Sequence, residues 1–197
     1  MIFTEGMSNS KSYILGADPG KHGGIVLLST RFNAMHIQPD DIIMIPSKAK
    51  DGKLDTSYLL EKLKPYINKI ELCVQEDVHA LFGSSAAGTF EFGDANGALR
   101  TLLQLIGFMR DEAKPFEVLL VAPKTWQKKA WIPSCIVYKE ESDKLGRKKK
   151  DTKATSLKTA ELLFPGVSFV PPRCKNVHDG LIDAALIAYY ALFILKG

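Results

Sequence analysis

The sequence contains few cysteines and histidines, and neither residue type is clustered. Its three cysteines, Cys73, Cys135 and Cys174, lie far apart and form no Cys-x-x-Cys pair. This spacing argues against a disulfide framework and against a zinc site, because both need cysteines in close groups. Unpaired cysteines are typical of a reducing compartment, so we expect a cytoplasmic protein.

Long hydrophobic runs and targeting segments are also missing. Residues 1–12 show no signal-peptide pattern, so we predict a flexible N-terminal tail over residues 1–11. The longest apolar stretch, residues 181–195, contains Asp183 and is too short to span a membrane. A hydrophobic content of 46% fits a single globular domain over residues 12–197.

Basic charge is concentrated in one part of the chain, whose overall net charge is +4. The segment from Lys124 to Lys158 contains eleven basic and four acidic residues, which gives it about +7 and leaves about −3 elsewhere. One strongly basic segment suggests a polyanionic partner, and the alternative is a solvated surface loop. Residues 134–151 lack a clear periodicity, which predicts a basic mobile loop there.

The pattern of apolar segments predicts an α/β domain. The first two strands flank a glycine-rich turn, so we expect an antiparallel hairpin. The predicted strands cover residues 13–18, 25–28, 41–45, 71–76 and 117–121. The predicted helices cover residues 55–68, 92–112, 152–164 and 178–195, with a short helical turn around Trp126. A hairpin followed by strand–helix alternation indicates a mixed five-stranded sheet with helices on both faces.

Two predicted strands end on a carboxylate. Asp18 closes the first strand, and Pro19 favours an extended backbone at Asp18 because the proline ring crowds the preceding residue. Glu76 closes a later apolar run in the same way. A lone Asp before Pro-Gly is most often a turn cap. A second acid delivered in the same manner favours a buried site whose negative charges need a cation.

The last predicted helix places two more acids on one face. Asp179 and Asp183 are four residues apart, about one helical turn. Asp179 complements the helix dipole, whereas Asp183 interrupts an otherwise apolar sequence. If both converge with Asp18 and Glu76, the four form an all-oxygen site suited to Mg²⁺. Two such ions about 4 Å apart activate a water and stabilise the leaving oxygen of a phosphodiester.

Four motifs carry a family resemblance through their order and spacing. They are ILGADPG (14–20), VQE (74–76), APKTWQK (122–128) and HDGLIDAALIA (178–188). In this order they resemble the RuvC family of Holliday-junction resolvases, in the RNase H-like superfamily, and most of all its phage and organellar branch. The resemblance extends over roughly residues 12–195.

The resemblance implies an activity, a cofactor and partners. A homodimer would make paired symmetric nicks in four-way DNA junctions, each leaving a 5′-phosphate and a ligatable nick. Two Mg²⁺ ions per site, replaceable by Mn²⁺, would be held by Asp18, Glu76, Asp179 and Asp183. Many bacterial members separate the two helical acids by three positions rather than four, which leaves His178 as a competitor of Asp179. No transit peptide is evident, so we expect the cytoplasm of a bacterium or of a phage-infected host.

The resemblance and the basic segment together indicate the DNA-binding residues. Lys128 approximately matches a basic residue that the family places near the scissile phosphate, so it joins the four acids as a catalytic candidate. The loop over residues 79–89 falls where the family probes the junction centre. The candidate DNA contacts are His79, Phe82, Ser84, Ser85, Lys124, Trp126, Lys128, Arg147, Lys148, Lys149, Lys150 and Lys153.

Three other classes of protein share some of these features. Residues 16–20 also resemble the first phosphate loop of actin-like ATPases and sugar kinases. The chain is too short for their two domains and has no second glycine-rich motif, so we expect no nucleotide cofactor. A non-cleaving junction-binding or scaffolding protein would not need four acids that repel bound DNA. A related metal nuclease that acts on flaps or RNA–DNA hybrids stays open.

Overall fold

An antiparallel hairpin begins the fold. In the computed structural model, β1 (Tyr13–Asp18) pairs with β2 (Gly24–Ser29), and Asp18 lies opposite Gly24. The third strand, β3 (Ile42–Pro46), pairs with β2 in the antiparallel sense. These pairings confirm the predicted hairpin and third strand. The structure describes residues 11–20, 22–78, 85–111, 116–142, 146 and 148–196. The predicted tail over residues 1–11 lies almost wholly outside these ranges.

A short ladder and a helix follow the first three strands. The ladder consists of β4 (Ala49–Lys50) and β5 (Lys53–Leu54). The Asp55 side chain then caps α1 (Thr56–Leu63) by accepting a hydrogen bond of 2.9 Å from the Tyr58 backbone N–H. Residues Lys64–Lys69 continue as a 3₁₀ helix, and not as the α-helix predicted to residue 68. Pro65 explains the change, because proline lacks the N–H that an α-helix interior requires.

The second half of the sheet is parallel. β6 (Ile70–Glu76) pairs with β1, and after α2 (Ala86–Phe108) the chain returns as β7 (Val118–Val121), which pairs with β6. The resulting order is β3-β2-β1-β6-β7, with β1 at the centre. The prediction started α2 six residues late, because the small residues after its Ser85 cap lack an apolar stripe.

The basic segment is more regular than predicted. After α3 (Pro123–Ala130), strands β8 (Tyr138–Ser142) and β9 (Lys148–Lys150) form an antiparallel ladder inside the predicted loop. All described side chains of both strands are exposed, so no apolar alternation marks them in the sequence. The chain continues as α4 (Thr152–Leu163) and α5 (Asp179–Lys196). None of the helices in the described ranges is long and apolar enough to cross a membrane.

Helices cover both faces of the central sheet, as predicted. Ile14 of β1 packs with α3, α4 and α5 on one face, whereas Leu15 packs with α1 and α2 on the other. Both side chains are fully buried. Burying one such side chain stabilises the fold by about 1.5–3 kcal/mol. The two-sided burial explains why β1 appears in the sequence as a continuous apolar run.

Glycines allow α5 to lie directly on the hairpin. A Cβ atom added at Gly16 of β1 would come within 2.2 Å of the Ala184 carbonyl oxygen and 2.5 Å of the Ala188 nitrogen. A Cβ atom added at Gly180 would lie 2.6 Å from Gly23 Cα and 2.8 Å from Asp18 Oδ2. Most of these contacts involve backbone that side-chain rotation cannot relieve. The close approach therefore fixes the start of α5 beside the end of β1.

This packing predicts a difference between two glycine-to-alanine substitutions. Gly16→Ala should lower the free energy of unfolding by about 1–3 kcal/mol, the usual cost of overpacking. Gly97→Ala is the matched control, since it adds the same methyl group inside α2 where no atom lies within 4 Å. The control should be neutral or stabilising by up to about 1 kcal/mol. Urea denaturation measures both, and equal transition midpoints would show that the α5–β1 contact is not tight.

Candidate active site

A cleft lies where β1, the turn after it and the start of α5 meet. It has a volume of about 610 Å³. Three of the four predicted acids line it, namely Asp18, Asp179 and Asp183. Lys153 and His178 contribute further polar groups to its wall. The structure thus brings together side chains that are up to 165 positions apart in the sequence.

Asp18 stands at the centre of the acidic group. Burial raises the pKa of its carboxyl well above 3.8, and the charges of Asp183, Glu76 and Asp179 raise it further, in that order. The following Pro19-Gly20 turn carries the chain away from the strand end, with Gly20 at a φ of +130°. That backbone conformation strains other residues and suits glycine. Asp18 is consequently held at a rigid position within electrostatic reach of the other three acids.

Among the described residues, no group donates a hydrogen bond to one buried oxygen of Asp183. This oxygen is its Oδ1 atom. Burial raises the pKa of Asp183 to about 6, against the opposing effect of a hydrogen bond from Ser156. An unsatisfied buried oxygen is costly, roughly 1–3 kcal/mol and more when it is charged. A cation bound at this oxygen would remove that cost.

Glu76 is hydrogen-bonded by a tryptophan that does not line the cleft. Glu76 is 9% exposed and does not itself line the cleft. The Trp126 indole Nε1–H donates a hydrogen bond of 2.7 Å to Glu76 Oε1. Burial raises the pKa of Glu76 to about 7, while the bond from Trp126 acts in the opposite direction and the charge of Asp183 raises it slightly further.

The rim of the cleft carries a charge pair and a capped helix start. Lys153 Nζ lies 2.6 Å from Asp179 Oδ2, and both side chains are substantially exposed. His178 Nδ1 accepts a hydrogen bond of 3.2 Å from the Leu181 backbone N–H, which caps α5. Both competing ligands, His178 and Asp179, thus face the cleft, and each has a protein partner.

Trp126 is a correction to the predicted DNA contacts. Its side chain was expected on DNA, but the ring is fully buried in the core and its N–H is directed at Glu76. It cannot stack on a base from there. The amphipathic α3 buries Trp126 and exposes Lys124 and Lys128 on its other side. The sequence already indicated this burial, because tryptophan is the large apolar residue of that helix.

The other predicted contacts divide into four groups. Lys148, Lys149 and Lys150 are exposed on β9, and Ser85 is exposed at the cap of α2. Lys153 lies in the wall of the acidic cleft. Lys128 is exposed but does not line the cleft. The remaining predicted contacts, His79, Phe82, Ser84 and Arg147, lie outside the described residues.

Three polar or aromatic side chains of the described cleft lining were not predicted as site residues. His22 lies in the turn after β1, and Glu91 and Phe92 come from α2. Glu91 was missed because the helix was predicted to begin only at residue 92, and Phe92 was placed in that helix without a role in the site. Ser85 was the available signal, since a serine before a small-residue segment is a favoured helix N-cap. Starting the helix there places Gly88 and Glu91 on one face.

The donor set fits a hard divalent cation. Four carboxylates influence one another's charge, and one of their oxygens is buried without a hydrogen bond. Such oxygen-only sets are the ligands that Mg²⁺ prefers. As the side chains stand, no three His, Cys, Asp or Glu residues of the described ranges are grouped closely enough to ligate a metal. The mutual repulsion of the charged acids favours this separation, and protonation or a bound cation would offset it.

Comparisons with known proteins show the fold. No protein-family model matches the sequence, and no curated protein sequence matches it. The chain is similar in structure to the T. thermophilus RuvC that was solved in complex with a Holliday junction substrate. The TM-score is 0.51 with 14% sequence identity, over 94% of this chain and 96% of that chain. The chain therefore has a RuvC-like α/β fold with a five-stranded mixed sheet.

The raised acid pKa values predict a pH dependence of stability without divalent ions. Glu76 and Asp183 titrate near 7 and 6 in the folded chain, above their ordinary values of 4.5 and 3.8. The folded state thus binds more protons than the unfolded state between about pH 4 and 7. Its stability should be highest at the acidic end of this window and should fall as the pH rises.

Asp183→Asn tests this expectation. At pH 7.5 in EDTA the variant should be more stable than the wild type by about 1 kcal/mol or more, since one pKa unit corresponds to about 1.4 kcal/mol. The advantage should shrink at pH 5, where the wild-type acids take up protons. Urea denaturation at both pH values measures it. Asp51→Asn, in the exposed β4–β5 turn, is the control and should show no such trend.

Proposed function

We propose that this protein is a Holliday-junction resolvase, a metal-dependent endonuclease that makes paired symmetric nicks in four-way DNA. The observation that carries the proposal is the convergence of Asp18, Glu76, Asp179 and Asp183 around one cleft, with a buried unpartnered oxygen on Asp183. The RuvC-like fold supports it, because the solved protein of similar structure was bound to a Holliday junction substrate.

In the proposed mechanism the acids serve as ligands of the metal ions. When bound, two Mg²⁺ ions, or Mn²⁺ in their place, supply an activated water and stabilise the leaving oxygen. Asp18, rigid at the strand end, would be the central ligand, together with Glu76 and Asp183. Asp179 or His178 would complete the set. Each cut would leave a 5′-phosphate and a nick that a ligase can close.

Lys153 and the exposed lysines would neutralise the negative charge of the DNA phosphates. Lys153 forms an ion pair with Asp179 at the cleft, so it lies where a phosphate would approach the acids. Lys128 lies on the exposed side of α3 and is proposed to contact the DNA backbone near the cut. The lysines of β9 would contact phosphates farther along one DNA arm of the junction. Binding of this kind depends on shape and backbone rather than on base edges.

Symmetric cutting requires two active sites, and α2 offers a surface for a homodimer. Its inward residues, including Leu99 and Leu103, are buried in the core. The outward Phe90, Leu105 and Phe108 are 77%, 55% and 73% exposed. Exposed apolar side chains grouped on one helix favour an interface between copies. Membership of the phage and organellar branch and a cytoplasmic location both stay predictions.

Junction-selective cleavage is the first expectation of this proposal. Purified protein with Mg²⁺ should nick a synthetic four-way junction at paired symmetric positions and leave a linear duplex of the same sequence intact. Gel analysis of end-labelled strands measures both. Equal cutting of the duplex, or preferred cutting of a flap or an RNA–DNA hybrid, would assign the chain to another class of metal nuclease. Binding without any cutting, with Mg²⁺ or Mn²⁺, would indicate a scaffolding protein.

Removal of individual acids separates chemistry from binding. Asp18→Asn and Asp183→Asn should abolish cleavage while junction affinity stays equal or increases, because fewer negative charges repel the DNA. Mobility-shift titrations in EDTA measure the affinity, and Asp51→Asn again serves as the control. Loss of junction binding in both acid variants would assign these residues to folding instead of catalysis.

The lysines of β9 give a prediction about salt. Changing Lys148, Lys149 and Lys150 to glutamine should weaken junction binding and make the slope of log affinity against log salt shallower, by about 0.9 for each phosphate that is no longer neutralised. Affinity titrations at several salt concentrations provide the slope. The control removes an equal charge at Lys50, Lys53 and Lys69, which are exposed in another part of the chain. An unchanged slope for the β9 variant would show that this strand is a solvated surface that does not contact the DNA.

A further inference from the structure

The two tryptophans of the chain form a connected pair beside the acids. Trp126 lies in α3 and is fully buried, and Trp131 follows the end of the same helix. Their rings meet edge to face, with centroids 6.2 Å apart and an interplanar angle of 81°. Such an arrangement is a favourable aromatic contact, so each ring limits the movement of the other. The sequence has no other tryptophan.

One indole N–H bonds directly to a carboxylate, and the other bonds to a neighbouring hydroxyl. Trp126 Nε1 donates directly to Glu76 Oε1 at 2.7 Å. Trp131 Nε1 donates to the Ser156 hydroxyl oxygen at 3.2 Å. The aromatic pair is thus bonded to the acid of β6 on one side and to a hydroxyl of α4 on the other.

We propose that Trp126 is a positioning residue for Glu76 in the metal site. The inference builds on the metal site of the proposed function. A carboxylate at a strand end turns freely unless a neighbour holds one of its oxygens. The indole donor fixes Oε1, which leaves Oε2 of Glu76 as the oxygen available to a cation.

The position of Trp126 in the core makes the donor rigid. The ring belongs to the core between the sheet and α5, together with Val121 and Ala130, and has no exposed surface. Packing alone would be satisfied by any large apolar ring. Only the indole N–H accounts for a short, charge-assisted bond to a buried carboxylate. Groups that hold metal ligands in this way typically change metal affinity by about 10–100-fold when they are replaced.

Trp126→Phe tests the donor while keeping most of the packing. Mn²⁺ affinity should fall by about 10–100-fold, measured from free Mn²⁺ by electron paramagnetic resonance. Saturating Mn²⁺ should restore much of the cleavage rate, since the defect lies in metal binding. Trp131→Phe should show a smaller loss, because Trp131 contacts Trp126 edge to face but donates its N–H to Ser156 and to no acid. The matched control is Phe164→Leu, which alters a fully buried ring of the same core that bonds to no acid.

The outcomes separate positioning from packing. A loss of Mn²⁺ affinity in Trp126→Phe, with wild-type affinity in Phe164→Leu, supports the proposal. Equal affinity in Trp126→Phe and wild type overturns it, as does an equal loss in the Phe164→Leu control or the absence of any Mn²⁺ binding by the wild type. If Mn²⁺ binding depends on Trp126 but the wild type cuts no DNA, the proposed nuclease function fails and the positioning role stands.

A second form of the experiment covers a variant that does not fold. Benzothienylalanine has the shape of tryptophan but no N–H, and it can replace Trp126 in a Trp131→Phe background. Thermal melting in EDTA checks that the replacement leaves the fold intact. Mn²⁺ affinity should again fall relative to the same background with tryptophan at position 126. An unchanged affinity would overturn the proposal.

Discussion

Backbone contact between α5 and β1 is the constraint on which the acidic cleft depends. Gly16 lets the backbone of α5 lie against the central strand, and Gly180 lets the first turn of the helix reach Asp18. The same contact puts Asp183 beside a strand end from which it is remote in sequence. The carboxylates are therefore held by parts of the fold with little freedom to move apart, although their charges oppose the arrangement.

Because the acids repel one another, they destabilise the folded chain, and other side chains have to stabilise it. The two apolar layers on either side of the sheet provide the favourable energy. The buried acids reduce this favourable energy, and the raised pKa values of Glu76 and Asp183 identify two of the acids responsible. Trp126 partly compensates by donating a hydrogen bond to Glu76. This cost supports the proposal that the acids serve binding rather than folding.

Much of the fold and of the acid set was predictable from the sequence, for local reasons. β1 is a continuous apolar run because it is buried on both faces, and its end at Asp18 is marked by Pro19 and Gly20. Asp183 is conspicuous because it interrupts an apolar helix. The start of α2 was not predictable from periodicity, since small residues carry no apolar stripe. The role of Trp126 was also hidden, because its bond to Glu76 joins residues 50 positions apart.

The order in which the acids occur along the chain has a consequence for biosynthesis. Asp18 and Glu76 emerge early from the ribosome, whereas both α5 acids and the helix that covers one face of the sheet are made more than 100 residues after Glu76. A nascent or truncated chain that stops before α5 therefore lacks half of the carboxylates. It also leaves the apolar face around Ile14 and Val26 only partly covered, by α3 and α4. The assembled cleft thus exists only once the chain has been translated through α5.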